Sequence, residues 1–189
     1  MIKSEQDILD LIGNDSWMMN ILKTAQTLHL PDWWICAGFV RTKVWDALHG
    51  HSDRTNLSDI DVVYFDASNT NEQFEKHLES KLKDKAPDEP WSVKNQARMH
   101  IINGEEPYTS TIDAVSRFPE TATSIALKLN EKNELILVAP WGIEDLTSLQ
   151  IKPTPPFKEK EALSSIYEKR VQEKQWDKKW PKVKVQGIN

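Results

Sequence analysis

The run Leu57–Ser68, L-S-D-I-D-V-V-Y-F-D-A-S, constrains this chain more than any other feature. β-Branched and aromatic residues crowd it and nothing in its centre breaks it, so it reads as a strand built for burial. Yet Asp59 and Asp61 sit one residue apart. Side chains alternate along a strand, so both carboxylates point to one face, roughly 6.6 Å apart at the backbone. Like charges that close repel, and burying them unpaired is costly. The face that carries them needs either solvent or a counter-charge.

A chain of 189 residues, 39% hydrophobic, implies one domain with a sizeable core. Its expected parts are a helical lead-in over 1–30, a core over 31–151, and a linker with a C-terminal helix over 152–189. The net charge of −5 argues against a general nucleic-acid or membrane coat, though not against a local basic site. From Lys158 onward there are nine Lys/Arg and five Asp/Glu, a balance of +4. The remaining residues, 15 basic and 24 acidic, give −9. The basic end reads first as an ordinary solvated helix and second as an anion site. Cys36 is the only cysteine, and within W-W-I-C-A-G it reads as a small buried hydrophobe. M-I-K-S-E-Q-D-I-L-D has no apolar signal region, and no run approaches the ~18 apolar residues of a membrane span. The expectation is a cytoplasmic protein with no membrane partner. The eight tryptophans are spread along the chain and read as core packing.

Helical spacing marks Glu5–Ile12 and Ser16–Leu28, with Asp15 or Ser16 as a cap. D-W-W-I-C-A-G reads as a buried strand ending at Gly38, and F-V-R-T-K-V-W-D-A-L-H-G as a helix stopped by Gly50. Asn71–Lys85 is a charged helix. Trp91–Ile102 reads as one strand, or as a strand and a bend. Y-T-S-T-I-D-A-V-S-R-F-P-E holds a short strand, and a strand pair or a helix and strand follow around L-N-E-K-N-E. Lys152–Pro156 reads as a rigid extended linker, and Phe157–Trp180 as amphipathic. Strands interleaved with helices make this an α/β or α+β domain.

Four readings of the aspartate pair compete. The first is a surface strand with two solvated carboxylates. The second, a calcium loop of the EF-hand kind, fails because Val63 and Tyr64 occupy its fifth and sixth places. The third is the D-x-D of a nucleotide-sugar glycosyltransferase, and the fourth a two-metal site for nucleotidyl transfer. Two features favour the fourth. Upstream, a strand ends at Gly38 where a helix begins, an arrangement suited to phosphate, with Arg41 and Lys43 adding charge. Downstream, Asp113 lies in S-T-I-D-A-V-S-R-F, read as a strand that brings a third carboxylate. Bound cations would neutralise the repulsion.

A-G-F-V-R, then D-I-D-V, then I-D-A resembles the nucleotidyltransferase superfamily that includes DNA polymerase β. The Gly-x-Val-Arg part resembles the opening motif of tRNA CCA-adding enzymes and related poly(A) polymerases. Phe39 stands where the superfamily usually has Ser or Gly. A wider resemblance, to a bacterial nucleotidyltransferase-like family of about this length, runs through separated blocks in order. These are A-G-F-V-R-T-K-V-W-D-A-L-H-G, S-D-I-D-V-V-Y-F-D, V-K-N-Q-A-R-M-H, S-T-I-D-A-V-S-R-F-P-E-T-A-T, A-P-W-G-I-E-D-L and the K-x-W-x-x-x-W-P ending at Pro181.

The resemblance implies a mixed-sheet nucleotidyltransferase core with packed helices, preceded by a helical pair and followed by a C-terminal helix. It implies transfer of a nucleoside monophosphate from an NTP such as ATP to an acceptor hydroxyl, with release of pyrophosphate. Asp59, Asp61 and Asp113 would hold Mg²⁺, or Mn²⁺, and Asp113 would orient or deprotonate the acceptor. Gly38 and Phe39 at the helix start, with Arg41, Lys43 and Ser58, would meet phosphates. Asn95, Gln96 and Arg98 would contact base, ribose or acceptor, or else form a polar strand face. The acceptor stays open among a small molecule, a protein and an RNA end. A catalytically silent nucleotide- or partner-binding module on the same fold is the alternative, and the glycosyltransferase is third.

Overall fold

The computed structural model describes residues 2–188, so the first and last positions of the expected domain lie outside the described residues. The chain opens with α1 (Glu5–Gly13) and α2 (Ser16–Gln26). Ser4 caps α1 in a reciprocal box with Asp7, and Asp15 caps α2 by accepting from Met18 N–H. β1 (Trp34–Cys36) runs almost directly into α3 (Gly38–His49), which Gly50 closes in the left-handed conformation. β2 (Ile60–Tyr64) carries the aspartate motif at its start, and α4 (Glu72–Lys85) returns the chain to β3 (Trp91–Asn95).

Beyond β3 two expectations are corrected. The chain does not extend or bend after Asn95 but forms α5 (Gln96–Asn103), capped by the Asn95 side chain accepting from Ala97 N–H. The run around Asp113 is not a strand but α6 (Thr111–Ser116), capped by Ser110. A hairpin of β4 (Ala126–Leu129) and β5 (Leu135–Val138) follows, then α7 (Glu144–Thr147) and β6 (Gln150–Ile151). The expected extended linker is tied in. Pro153 bridges to Glu120, Thr154 is buried, and Pro155 opens α8 (Pro155–Glu159). The amphipathic end divides into α9 (Glu161–Lys174) and α10 (Trp176–Lys179), separated by Gln175 at a φ of 46°, before β7 (Lys184–Val185) pairs with β6.

The main sheet has the order β3-β2-β1-β4-β5, with β2 and β3 parallel and the other pairs antiparallel. Its two faces are covered unequally. Ile35, Ile60, Val62, Tyr64, Val93 and Leu127 join the large core with Ile8, Ile12, Leu22, Val44, Trp45, Leu78 and Leu82 from the helices. On the other face Trp34, Cys36, Val63 and Ala126 meet Val115 of α6 in a smaller cluster. Asp61 has the parity of Val63, so it stands on the thinly covered face. The strand is therefore buried through its other face, and the carboxylates sit where the sheet opens.

Candidate active site

Asp59 and Asp61 line one cavity of about 300 Å³, together with Ala37, Gly38, Arg41 and Ser58. Ser58 Oγ donates to Asp59 Oδ1 at 3.2 Å. Asp59 is exposed and Asp61 half-buried. Burial pushes the Asp61 carboxyl up to about 6, and the Asp59 charge adds to this. A hydrogen bond from Ser92 and the positive charges of Arg170 and Lys174 act against it. Ser92 lies opposite Asp61 in the parallel ladder, so the neighbouring strand offers a hydroxyl beside the pair.

The turn between β1 and α3 forms one wall. Ala37 sits there at φ 52° and ψ −113°, and no side chain among the described residues caps α3. Positive φ is costly for a residue with a Cβ, and such strain gathers at functional sites. This conformation starts α3 directly at the end of β1, the central strand of the sheet, so the helix N-terminus and Gly38 border the cavity.

Arg41 is 9% exposed and lines the cavity. Its guanidinium lies 5.4 Å from the Trp45 ring centre and 5.1 Å from that of Trp176. Its Nε is buried with no hydrogen-bond partner among the described residues. Burial lowers the Arg41 pKa to about 10, so the group keeps its charge at neutral pH, facing the field of Glu120, Asp59 and Asp61. A buried guanidinium with a free Nε, close to two tryptophan rings in the first turn of α3, suits an anion.

The C-terminal segment supplies what the sequence reading assigned first to solvent. Arg170 and Lys174 of α9 and Lys179 of α10 line the same cavity, with Trp176 and Trp180. Arg170 Nε donates to Glu120 Oε1 at 2.6 Å, and Glu120 is fully buried, so Arg170 is held in place. Trp180 Nε1 donates to Asp46 Oδ1 at 2.8 Å. Asp46 Oδ2 also accepts from Thr55 N–H at 2.8 Å. One buried carboxylate thus ties α3, the C-terminal segment and the loop leading to Asp59. The only sequence signal for these residues is the basic balance after Lys158 and the K-x-W-x-x-x-W-P block.

Several expected residues lie elsewhere. Asp113 belongs to the cap of α6. Its Oδ2 accepts from Thr109 N–H at 2.8 Å, Arg117 pairs with it at 3.3 Å, and it lines neither this cavity nor its neighbour. No group of three His, Cys, Asp or Glu side chains gathers for a metal among the described residues. Phe39 points into the core, 5.9 Å from the Trp17 ring. Ala37, two residues earlier in the motif, lines the cavity instead. Lys43 leaves the site to pair with Asp15 at 2.7 Å, where Arg54 also binds. Asn95 is fully buried and fastens Asp66 and Asn69. Arg98 is held by Glu75 at 3.1 and 2.8 Å. Both act in the fold. Gln96 lines the neighbouring cavity.

The nucleotidyltransferase family model matches residues 23–185. A protein whose NMR structure is described as revealing a CCA-adding enzyme head domain superposes with a TM-score of 0.89 at 36% identity, over 99% of this chain and 98% of that one. A tRNA-processing enzyme in an apo form superposes with a TM-score of 0.51 at 16% identity, over 89% of this chain and 45% of that chain. The Thermotoga maritima CCA-adding enzyme complexed with tRNA gives 0.50 at 17% identity, over 95% and 42%. This chain therefore spans less than half the length of those two enzymes, and the likeness to them is one of fold. No curated protein matches the sequence. By the family match and the 36% identical structure, the chain belongs to the nucleotidyltransferase family.

Proposed function

We propose that the chain transfers a nucleoside monophosphate from an NTP to an acceptor hydroxyl, using the cavity between β2, the start of α3 and the C-terminal helices. The observation that carries this reading is the opposition of charges within one cavity. Asp59 and Asp61, with Glu173 of α9 as a third carboxylate in the lining, share it with Arg41, whose buried Nε has no partner among the described residues, and with Arg170, Lys174 and Lys179.

The carboxylates fit a divalent cation. They are hard oxygen donors, they repel one another, and Asp61 is driven toward its neutral form in the cation's absence. Two carboxylates rather than a full protein cage also match how Mg²⁺ binds beside substrate phosphates. Asp59 and Asp61 would hold the ion. When bound it would neutralise charge on the phosphates and raise the acidity of the acceptor hydroxyl.

Arg41, Lys174 and Lys179 meet the triphosphate, and the α3 N-terminus at Gly38 adds backbone N–H donors. The acceptor oxygen bonds to the α-phosphorus as the bond from that phosphorus to the bridging oxygen breaks. Pyrophosphate leaves with the electron pair. The hydroxyl proton passes to solvent water, and Asp61, the acidic residue that lines both this cavity and the next, orients the acceptor's approach.

The test is a thermal-unfolding titration with each of the four NTPs, with Mg²⁺, with Mn²⁺ and with neither. A ligand that binds the folded state raises the midpoint. A rise that needs metal and NTP together and disappears in Asp61→Asn supports the proposal. No rise with any NTP sinks it.

A further inference from the structure

We infer that the second cavity beside Asp61 binds the acceptor, and that the acceptor is a small molecule with an apolar or aromatic body and a free hydroxyl. This rests on the nucleotidyl-transfer reading above. The cavity holds about 410 Å³ and shares Ala37, Asp61 and Arg170 with the basic cavity. Asp61 is thus common to two compartments of opposite character. One is rich in cations, and the other is walled by Tyr108, Phe118, Phe157 and Leu163. A pocket of this size, mostly apolar with a few polar groups, is the usual form of a small-molecule site.

The charges in the second cavity exclude a polyanion. RNA affinity comes from Lys and Arg side chains free to neutralise phosphates. Both arginines lining this cavity are already committed, Arg117 to Asp113 at 3.3 Å and Arg170 to Glu120 at 2.6 Å. Glu105 adds negative charge and is hydrogen-bonded to the Tyr108 hydroxyl, which also accepts from Asn103 Nδ2 at 2.9 Å. A nucleotide chain entering here would meet apolar walls and a carboxylate, with no unpaired cation among the described lining residues.

The rim has the same character. Ile102 and Ile166 are 60% and 51% exposed, and both line the cavity. They stand on α5 and α9, two helices far apart in the chain. Large exposed apolar side chains converging on one opening mark a binding surface rather than scattered surface residues. An apolar body seated between them brings its hydroxyl to Asp61 and so to the α-phosphorus. There the acceptor oxygen bonds to the α-phosphorus, its proton passes to solvent water, and pyrophosphate leaves with the electron pair.

The test uses the full chain labelled with ¹⁵N and follows its backbone amides by NMR. The probes are tyrosol as a neutral aryl alcohol, a short oligouridylate as a polyanion with a free hydroxyl, and each NTP with Mg²⁺. Tyrosol is expected to shift the amides of Tyr108, Phe118, Phe157 and Ile166. Ile166→Glu, a change at an exposed position, should weaken that response about tenfold. Mg²⁺–NTP is expected to shift Gly38, Arg41 and Ser58 in both proteins. Failure of tyrosol to shift those four residues overturns the proposal. So does a stronger response there to oligouridylate, or loss of NTP binding in Ile166→Glu, which would assign the cavity to the base. If tyrosol binds while no NTP perturbs Gly38 or Ser58, the transfer reading fails and takes the acceptor role with it.

Discussion

The Arg41 guanidinium lies 5.1 Å from the centre of the Trp176 ring, joining the first turn of α3 to the C-terminal segment around a buried charge whose Nε has no partner among the described residues. Trp176 therefore does two things at once. It packs at 6.5 Å against Trp45 in the core, and it closes one side of the cavity over an arginine.

Arg41→Met should separate stability from binding. Replacing a buried, unpaired charge by an apolar side chain of similar length is neutral or stabilising, by about 1 kcal/mol. Nucleotide binding should fall, because a charge-assisted hydrogen bond to phosphate contributes about 1.5–3 kcal/mol, or roughly ten- to a hundredfold. Unfolding midpoints without ligand, set beside calorimetric NTP affinities, give both numbers. A large loss of stability with unchanged affinity would make Arg41 a structural residue.

Ala37 should tolerate glycine better than alanine. At φ 52° and ψ −113° its Cβ is strained, which costs on the order of 1–3 kcal/mol. Glycine relieves this strain but loses more chain entropy on folding, about 0.5–1 kcal/mol. Ala37→Gly is therefore expected to raise the unfolding midpoint by the equivalent of roughly 1 kcal/mol. A fall in midpoint would mean that the turn is not strained.

The aspartate pair was legible because a strand's alternation is rigid. Asp59 and Asp61 had to share a face, and only solvent or a cation relieves them. Gly38 marked the strand-to-helix junction correctly, but the residue that takes the positive φ there is Ala37, which nothing in the sequence singles out. The sites that misread are those where local signals conflict. I-D-A-V around Asp113 has the apolar character of a strand, yet Ser110 stands three residues before Asp113, the spacing of a helix cap. N-Q-A-R after β3 likewise begins with a good cap, and the strand enters α5 without a break. Arg170, Lys174 and Lys179 show a different limit. Their helical surface looks solvated in sequence, and only the packing of Trp180 on Asp46 and of Glu120 on Arg170 turns it toward the aspartates.

Asp113→Asn tests the corrected position of the third carboxylate. The side chain accepts from Thr109 N–H and pairs with Arg117. Losing its charge should cost about 0.5–1 kcal/mol of stability, in the range of a helix cap. Metal-dependent NTP binding should be unchanged, because Asp113 lines neither cavity. Loss of the metal-dependent midpoint shift in this variant would return Asp113 to the catalytic set.

The last prediction concerns Asp15, which removes Lys43 from the site. Lys43 Nζ lies 2.7 Å from Asp15 Oδ2, and Arg54 contacts both oxygens at 2.9 and 3.0 Å. Burial pushes the Asp15 carboxyl up. The hydrogen bonds from Lys43, Met18 N–H and Arg54 outweigh it and hold the group at about 2, below the ordinary 3.8. A carboxyl depressed in the folded state stabilises the fold above its unfolded pKa, and this stability is lost as pH falls through the folded pKa. Asp15 should therefore contribute fully above about pH 5, and its contribution should disappear between pH 4 and roughly pH 2. Because Lys43 and Arg54 are partly exposed, screening reduces the electrostatic part to about 1 kcal/mol. Asp15→Asn should lower stability at pH 7 by about that amount and flatten the acid limb of the unfolding profile. Lys43→Met should reproduce part of the stability loss and leave NTP affinity as it was. A matched drop in NTP affinity would put Lys43 back among the phosphate contacts, against the position its ion pair gives it.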